Sequence, residues 1–194
     1  MKNMKVILKL LRPHQWAKNS FVFLPLFFNG KFTNLEFLFI TIIVFFVFSF
    51  AASGIYCFND ILDAEKDKLH PIKRHRPIAS GNIGKCSAFF ILLICFIISL
   101  LTIYFFSSYI KTHVYNLYWV IAIYILMNIF YCIKLKKMII VDVFVIAIGF
   151  VLRIFAGGLA TGILLSHWLV LMTFLLALLL AFAKRRDDVV IYEQ

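Results

Sequence analysis

The chain has 194 residues, 63% of them hydrophobic and 18% aromatic, and carries a formal charge of +11. That apolar share is too high for a soluble globular domain, where it is nearer half. The positive charge suggests nucleic acid only until its distribution is followed along the chain, where it reads as membrane topology instead.

Lys2, Lys5, Lys9 and Arg12 recur at helical spacing, with Val6, Ile7, Leu10 and Leu11 mostly on the opposite face. Residues 1–14 therefore read as a short basic helix lying in the headgroup plane. A signal peptide is the rival, but no small-residue cleavage site follows Phe28. The string Arg12-Pro13-His14-Gln15-Trp16-Ala17-Lys18-Asn19 comes next, and Trp16 suits an interface. Lys18 and Asn19 open an apolar run interrupted by Pro25 and Asn29. A short, broken span of this kind ends beside a binding cavity; plain interfacial anchoring of Lys18 stands as the other reading.

Residues 37–58 are long and apolar enough for a transmembrane helix, and Ser49, Ser53 and Gly54 give it a small face near its end. Residues 88–106, 117–133, 139–161 and 167–183 are four further spans. With the first short segment they make six, in an all-α integral membrane protein with a single domain over 1–194 and no linker. The N-terminus, 59–87, 134–138 and 184–194 fall on one side and hold 17 of the 20 Lys and Arg. The other side holds Lys31 and Lys111, and Arg153 lies within a span. The positive-inside rule places the N-terminus and 59–87 in the cytoplasm of a multi-pass plasma-membrane protein. Cys57, Cys86, Cys95 and Cys132 form no CxxC pair and read as reduced packing residues.

The loop after the second span, 59–81, reads NDILDAEKDKLHPIKRHRPIASG. Asn59, Asp60, Asp63 and Asp67 are spaced i, i+1, i+4 and i+8, so a continuing helix puts them on one stripe, with Glu65 elsewhere. A stripe of carboxylates repels itself, and a divalent cation is the remedy. Mg²⁺ takes one or two carboxylates together with substrate phosphate oxygens. Lys73, Arg74 and Arg76 follow closely and suit the remaining phosphate charge. The bland reading is a solvated loop of mixed charge. Arg153 sits mid-span with Gly149 and Gly157 at i−4 and i+4, and Asp142 three turns earlier on the same face. A guanidinium there needs a polar cavity or a partner: a phosphate is the preferred reading, an acid on a neighbouring helix the other. The chain ends in Lys184-Arg185-Arg186-Asp187-Asp188, a second charged cluster over 184–194.

These strings carry a family resemblance. Residues 59–67 resemble the NDxxDxxxD motif of the UbiA superfamily of intramembrane prenyltransferases. His70 to Gly81, the "RPxQWxKN" string ending at Lys18 and Asn19, "LKxxxxxD" from Leu135 to Asp142 and "RxxAG" from Arg153 resemble the branch that includes decaprenyl-phosphate phosphoribosyltransferase. The resemblance implies an enzyme, a transferase with a nine-helix bundle around a central cavity. Six helices are present, so the chain is expected to be incomplete at its C-terminus. It implies Mg²⁺ at Asn59, Asp60, Asp63 and Asp67, with the three aspartates catalytic, and Asp188 in the second acidic motif where glutamate is usual; Asp187 is an extra acid. Lys18, Asn19, Asn59, Lys73, Arg74, Arg76, Arg153, Lys184 and Arg185 are implied to bind substrate. The implied partners are a membrane lipid, polyprenyl phosphate or diphosphate, and a diphosphate donor, not nucleic acid. The preferred reaction is phosphoribosyl transfer from phosphoribosyl diphosphate to polyprenyl phosphate. Polyprenyl transfer to an aromatic acceptor is the alternative, and a non-catalytic membrane protein the second.

Overall fold

The computed structural model describes residues 2–110 and 114–192, with side chains excepted at 2, 3, 137, 139, 184 and 186–192. Helix α1 (Lys2–Leu11) leads into a 3-10 segment (Pro13–Phe23) and a short α2 (Leu24–Phe28). Five long helices follow: α3 (Leu35–Leu69), α4 (Lys85–Phe105), α5 (Val114–Ile133), α6 (Ile139–Thr161) and α7 (His167–Tyr192). No strand occurs among the described residues. Four helices are long and apolar enough to cross a membrane, namely Leu35–Leu69, Lys85–Phe105, Val114–Ile133 and Ile140–Thr161, and His167–Ala183 is a shorter apolar stretch. The first expected span is different in kind. Pro13 and Pro25 each remove a backbone N–H, and the chain between them winds as a 3-10 segment, not as a regular spanning helix.

Helix α3 is the axis of the bundle. Asn34 caps its start, with Oδ1 accepting from Glu36 N and Phe37 N at 3.0 and 3.2 Å. Val44, Val47, Phe48 and Ala51 are fully buried against Ile103 of α4, Ile121 and Tyr124 of α5 and Ala156 of α6. Gly54 lets α4 come close, since a Cβ there would lie 2.5 Å from the Phe96 ring. The helix does not stop where the apolar run stops. It continues through the acids to Leu69, and His70 turns extended because Pro71 follows. The stretch 59–87, expected as a loop, is therefore helix for its first eleven residues. At about 1.5 Å per residue α3 is roughly 52 Å long, well beyond a hydrocarbon core of about 30 Å.

The expected small face of α3 seats the N-terminal segment. Trp16 Nε1 donates to Ser53 Oγ at 3.0 Å, Ser53 Oγ donates to Leu11 O at 2.9 Å, and Asn19 Nδ2 donates to Ser49 Oγ at 3.0 Å. On its other side the segment lies on α6, where a Cβ on Gly157 would stand 2.1 Å from Val22 O. Lys9 Nζ ties α1 to His75 O at 2.9 Å. Cys57, Cys95 and Cys132 are buried thiols and Cys86 is exposed, without disulfides.

Candidate active site

Because α3 runs on unbroken, Asn59, Asp60, Asp63 and Asp67 fall within a sector of about 100° of its surface. Their partners divide them. Lys136 Nζ, on the turn between α5 and α6, lies 2.7 and 2.6 Å from the two Asp63 oxygens and 3.2 Å from Asn59 Oδ1. Arg76 Nη1 lies 2.7 Å from Asp67 Oδ2 and 3.3 Å from Asp60 Oδ1. Arg12 Nη2 lies 2.6 Å from the same Asp60 oxygen. The stripe is thus two half-sites, and among the described residues no three acidic, histidine or cysteine side chains converge on one point. The four residues do share the expected stripe, and cations from three separate segments, Arg12, Arg76 and Lys136, meet its carboxylates.

Arg12 reaches Asp60 from a left-handed backbone, φ 52° and ψ 57°, which is uncommon for a residue with a side chain. Asp60 is almost fully buried, and its Oδ2 has no hydrogen-bond partner among the described residues. All donors on the stripe are oxygens, the set Mg²⁺ takes, and the orphaned Asp60 oxygen is the atom a cation would complete. The residues fit such an ion, with Asn59 and Asp63 as one pair and Asp60 and Asp67 as the other.

The remaining site residues separate into those the fold brings here and those it does not. Lys73 and Arg74 sit on the 3-10 turn Lys73–His75 and do not reach the acids; Arg74 Nε faces His75 Nε2 at 3.4 Å. Glu65, as expected, points away, to Lys68 and Lys85. Arg185 of α7 is ion-paired to Asp142, its Nε 2.7 Å from Oδ2, and so braces the turn that carries Lys136. The side chains of Lys184, Asp187 and Asp188 lie outside the described residues.

One turn inward from Asp60 on the same face of α3, Tyr56 begins the wall of a cavity of about 570 Å³. Lys18, Tyr124, Asn128, Tyr131 and Arg153 supply the rest of its polar lining. Arg153 is buried there. Its Nε donates to Asn19 Oδ1 at 2.7 Å, Nη1 to Gly149 O at 2.6 Å and Nη2 to the Tyr124 hydroxyl at 3.0 Å. These partners are neutral, and among the described residues no acid on a neighbouring helix pairs with Arg153. Tyr131 donates to Asp142 at 2.6 Å.

Sequence reasoning missed Lys136, which had been counted only as a topology determinant, and the contact of Arg12 with Asp60. It also missed Tyr124, Asn128 and Tyr131. These lie at i, i+4 and i+7 on α5, and that polar stripe in an apolar helix was a readable signal.

The profile of the UbiA prenyltransferase family matches residues 20–191. The chain is 36% identical over 192 residues to the decaprenyl-phosphate phosphoribosyltransferase of Corynebacterium glutamicum, covering 97% of this chain and 56% of that protein. It is 33% identical to that of Mycolicibacterium smegmatis, covering 97% and 58%. Among solved structures it superposes on digeranylgeranylglyceryl phosphate synthase with a TM-score of 0.72 at 23% identity, covering 95% and 62%. A UbiA homolog from Archaeoglobus fulgidus, bound to DMAPP and Mg²⁺, gives 0.69 at 19% identity, covering 89% and 60%. These two likenesses show the fold alone. The chain spans a little over half the length of the curated relatives it matches. Helices that suit a bilayer, an acid stripe on the longest of them and a match over nearly the whole sequence agree: this integral, multi-pass membrane chain belongs to the UbiA prenyltransferase family.

Proposed function

We propose that the chain carries the donor site of a Mg²⁺-dependent transferase that moves a phosphoribosyl group from phosphoribosyl diphosphate to a polyprenyl phosphate in the membrane. The observation that carries this reading is the number of cations gathered beside the acids. Arg12, Arg76 and Lys136 touch the stripe, and Lys18 and Arg153 line the adjoining cavity. A prenyl diphosphate needs one diphosphate clamp and an apolar groove. A phosphoribosyl donor and a lipid phosphate together bring more anionic groups and call for more cations. Relatives named decaprenyl-phosphate phosphoribosyltransferase, at 33 to 36% identity, support the same choice.

In this reaction an oxygen of the lipid phosphate attacks ribose C1, the bond from C1 to the diphosphate oxygen breaks, and diphosphate leaves with the electron pair. Bound Mg²⁺ supplies charge neutralisation to the leaving group. Asp60, Asp63 and Asp67, with the Asn59 amide oxygen, would hold it. Lys136 and Arg76 would exchange a carboxylate for a phosphate oxygen as the donor enters, Arg76 by its fork and Lys136 as a point charge. Lys73 and Arg74 stand outside that contact and serve the mouth of the site. Lys18, Asn19 and Arg153 belong to the inner cavity. Arg185, Lys184 and Asp188 belong to the α7 end, where Arg185 holds Asp142. The acid end of α3 and the N-terminus face the cytoplasm, from the 17-to-2 distribution of basic residues.

The test is binding of donor to the full chain in lipid nanodiscs, with and without Mg²⁺. Phosphoribosyl diphosphate is expected to bind only with Mg²⁺, and Asp63→Asn, which keeps the shape and removes one charge, is expected to weaken it by about tenfold or more. Mg²⁺-dependent binding of geranyl diphosphate with none of phosphoribosyl diphosphate would overturn the reading in favour of prenyl transfer to an aromatic acceptor. Binding of neither would leave the non-catalytic alternative.

A further inference from the structure

Helix α1 has three faces. Leu10 is fully buried in a cluster with Ala64, Ile78 and Leu92, and Val6 adjoins it in the helical register. Met4, Ile7 and Leu8 fall within a second sector of about 100°, and all three are exposed. Lys2, Lys5 and Lys9 fall within a third sector, about 60° wide, where Lys5 and Lys9 are exposed. No Asp or Glu precedes Glu36 in the chain. Among the described residues no acid pairs with Lys5 or Lys9. The helix has 10 residues, and in water a helix shorter than about 12–15 is marginal by itself. Its level is set by α3. About 30 Å of hydrocarbon, counted from Phe37 at about 1.5 Å per residue, ends near Cys57. The chain leaving α1 meets Ser53 and Asp60, on either side of that point. An exposed apolar sector beside an unpaired basic one, at the edge of the hydrocarbon, suits a headgroup layer of negative charge.

The same helix grips the acid stripe and the turn beside it. Lys9 Nζ donates to His75 O at 2.9 Å, and Leu10 shares its cluster with Ile78, so α1 holds the chain on both sides of Arg76. Arg12, the next residue after the helix, reaches Asp60. We propose that α1 is a docking surface for a leaflet of anionic phospholipid, and that its seating there holds Arg12 on Asp60 and the Arg76 turn on Asp67. Leaflet charge thereby sets the order of the acid stripe. That the ordered stripe receives a donor rests on the transferase reading; the seating of α1 and its contacts do not.

Hydrogen exchange of the full chain tests this, in nanodiscs of phosphatidylcholine alone or with phosphatidylglycerol admixed, without metal or donor. The amides followed are those of α1 and those of Ser80, Gly81 and Ile83, which donate to the carbonyls of Arg76, Ile78 and Pro77. One lysine near an anionic surface favours the seated helix by about fivefold. Phosphatidylglycerol is therefore expected to raise protection of both segments by roughly 5- to 25-fold, and high salt to remove most of the gain. The double variant Lys2→Gln/Lys5→Gln, in residues outside the acid stripe, is expected to lose most of the gain with its unfolding temperature in detergent unchanged. Equal protection in the two lipids, the full gain in the double variant, or a response of α1 that the turn does not share would overturn the proposal. Failure here leaves Mg²⁺-dependent donor binding intact, and failure of donor binding leaves the seating of α1 intact.

Discussion

Lys136→Met separates metal binding from diphosphate binding by sign. The methionine keeps an apolar stem of similar length and removes the charge that lies 2.6 and 2.7 Å from the Asp63 oxygens. A unit pair at 4 Å attracts by about 4 kcal/mol at an effective dielectric of 20, before desolvation and side-chain ordering are subtracted. Exposed pairs retain about 0–1 kcal/mol, and breaking a buried pair costs about 3–5. The Lys136 and Asp63 side chains are 22% and 21% exposed, between those limits, so a loss of about 1–2 kcal/mol of stability is expected. The same change releases Asp63 and Asn59 for a metal, and Mg²⁺ alone should bind more tightly, by up to about tenfold for 1.4 kcal/mol of lost competition. A diphosphate loses a charge-assisted hydrogen bond worth about 1.5–3 kcal/mol, so its affinity in the presence of Mg²⁺ should fall by roughly 10- to 100-fold. Isothermal titration of Mg²⁺, and of phosphoribosyl diphosphate with Mg²⁺ saturating, reads both quantities on one preparation. If the two affinities move together, or neither moves, Lys136 is only a strut between α3 and the turn after α5, and the exchange of carboxylate for phosphate is wrong.

Two further outcomes are expected. Gly157→Ala should destabilise the chain by about 1–3 kcal/mol or more, since its Cβ would sit 2.1 Å from Val22 O and backbone, not a flexible side chain, must move; an unchanged unfolding temperature in detergent would refute the close packing of the N-terminal segment on α6. Asn82→Cys, in a background with the four native cysteines replaced, should label only from the cytoplasmic side; labelling from outside intact cells would reverse the orientation.

What was legible in the sequence follows the range of the interactions involved. The five long helices were readable because each is an apolar run bounded by charge or by a breaker. The stripe at Asn59, Asp60, Asp63 and Asp67 was readable because helical periodicity is local, and α3 does carry on to Leu69. The pairing of that stripe was not. Which cation meets which acid depends on where Arg12, Arg76 and Lys136 arrive from, and these contacts span 48, 16 and 73 positions of sequence for Asp60, Asp60 and Asp63. The first segment was misjudged in form for a similar reason. Its apolar composition suits a span, but its shape is set by its prolines, by the hydroxyls of Ser49 and Ser53 and by the gap at Gly157. Arg153 was legible as a buried cation from its place in an apolar run; its neutral partners were not, since Asn19 lies 134 positions away.

The contacts on α3 also explain why these acids can sit at the edge of a bilayer at all. Three carboxylates, Asp60, Asp63 and Asp67, meet three cations, Arg12, Arg76 and Lys136, so the face is formally neutral as folded. A bare divalent ion arriving there adds two positive charges and must displace ammonium or guanidinium groups that have nowhere better to go. A divalent ion arriving with a diphosphate brings its own anion. The carboxylates would then hold the metal, and Lys136 and Arg76 would be free to meet the phosphate oxygens. Charge balance therefore predicts that metal and donor together bind more strongly than either alone. No three acidic, histidine or cysteine side chains converge among the described residues, so on this charge-balance argument an anionic donor would help to assemble the cation site.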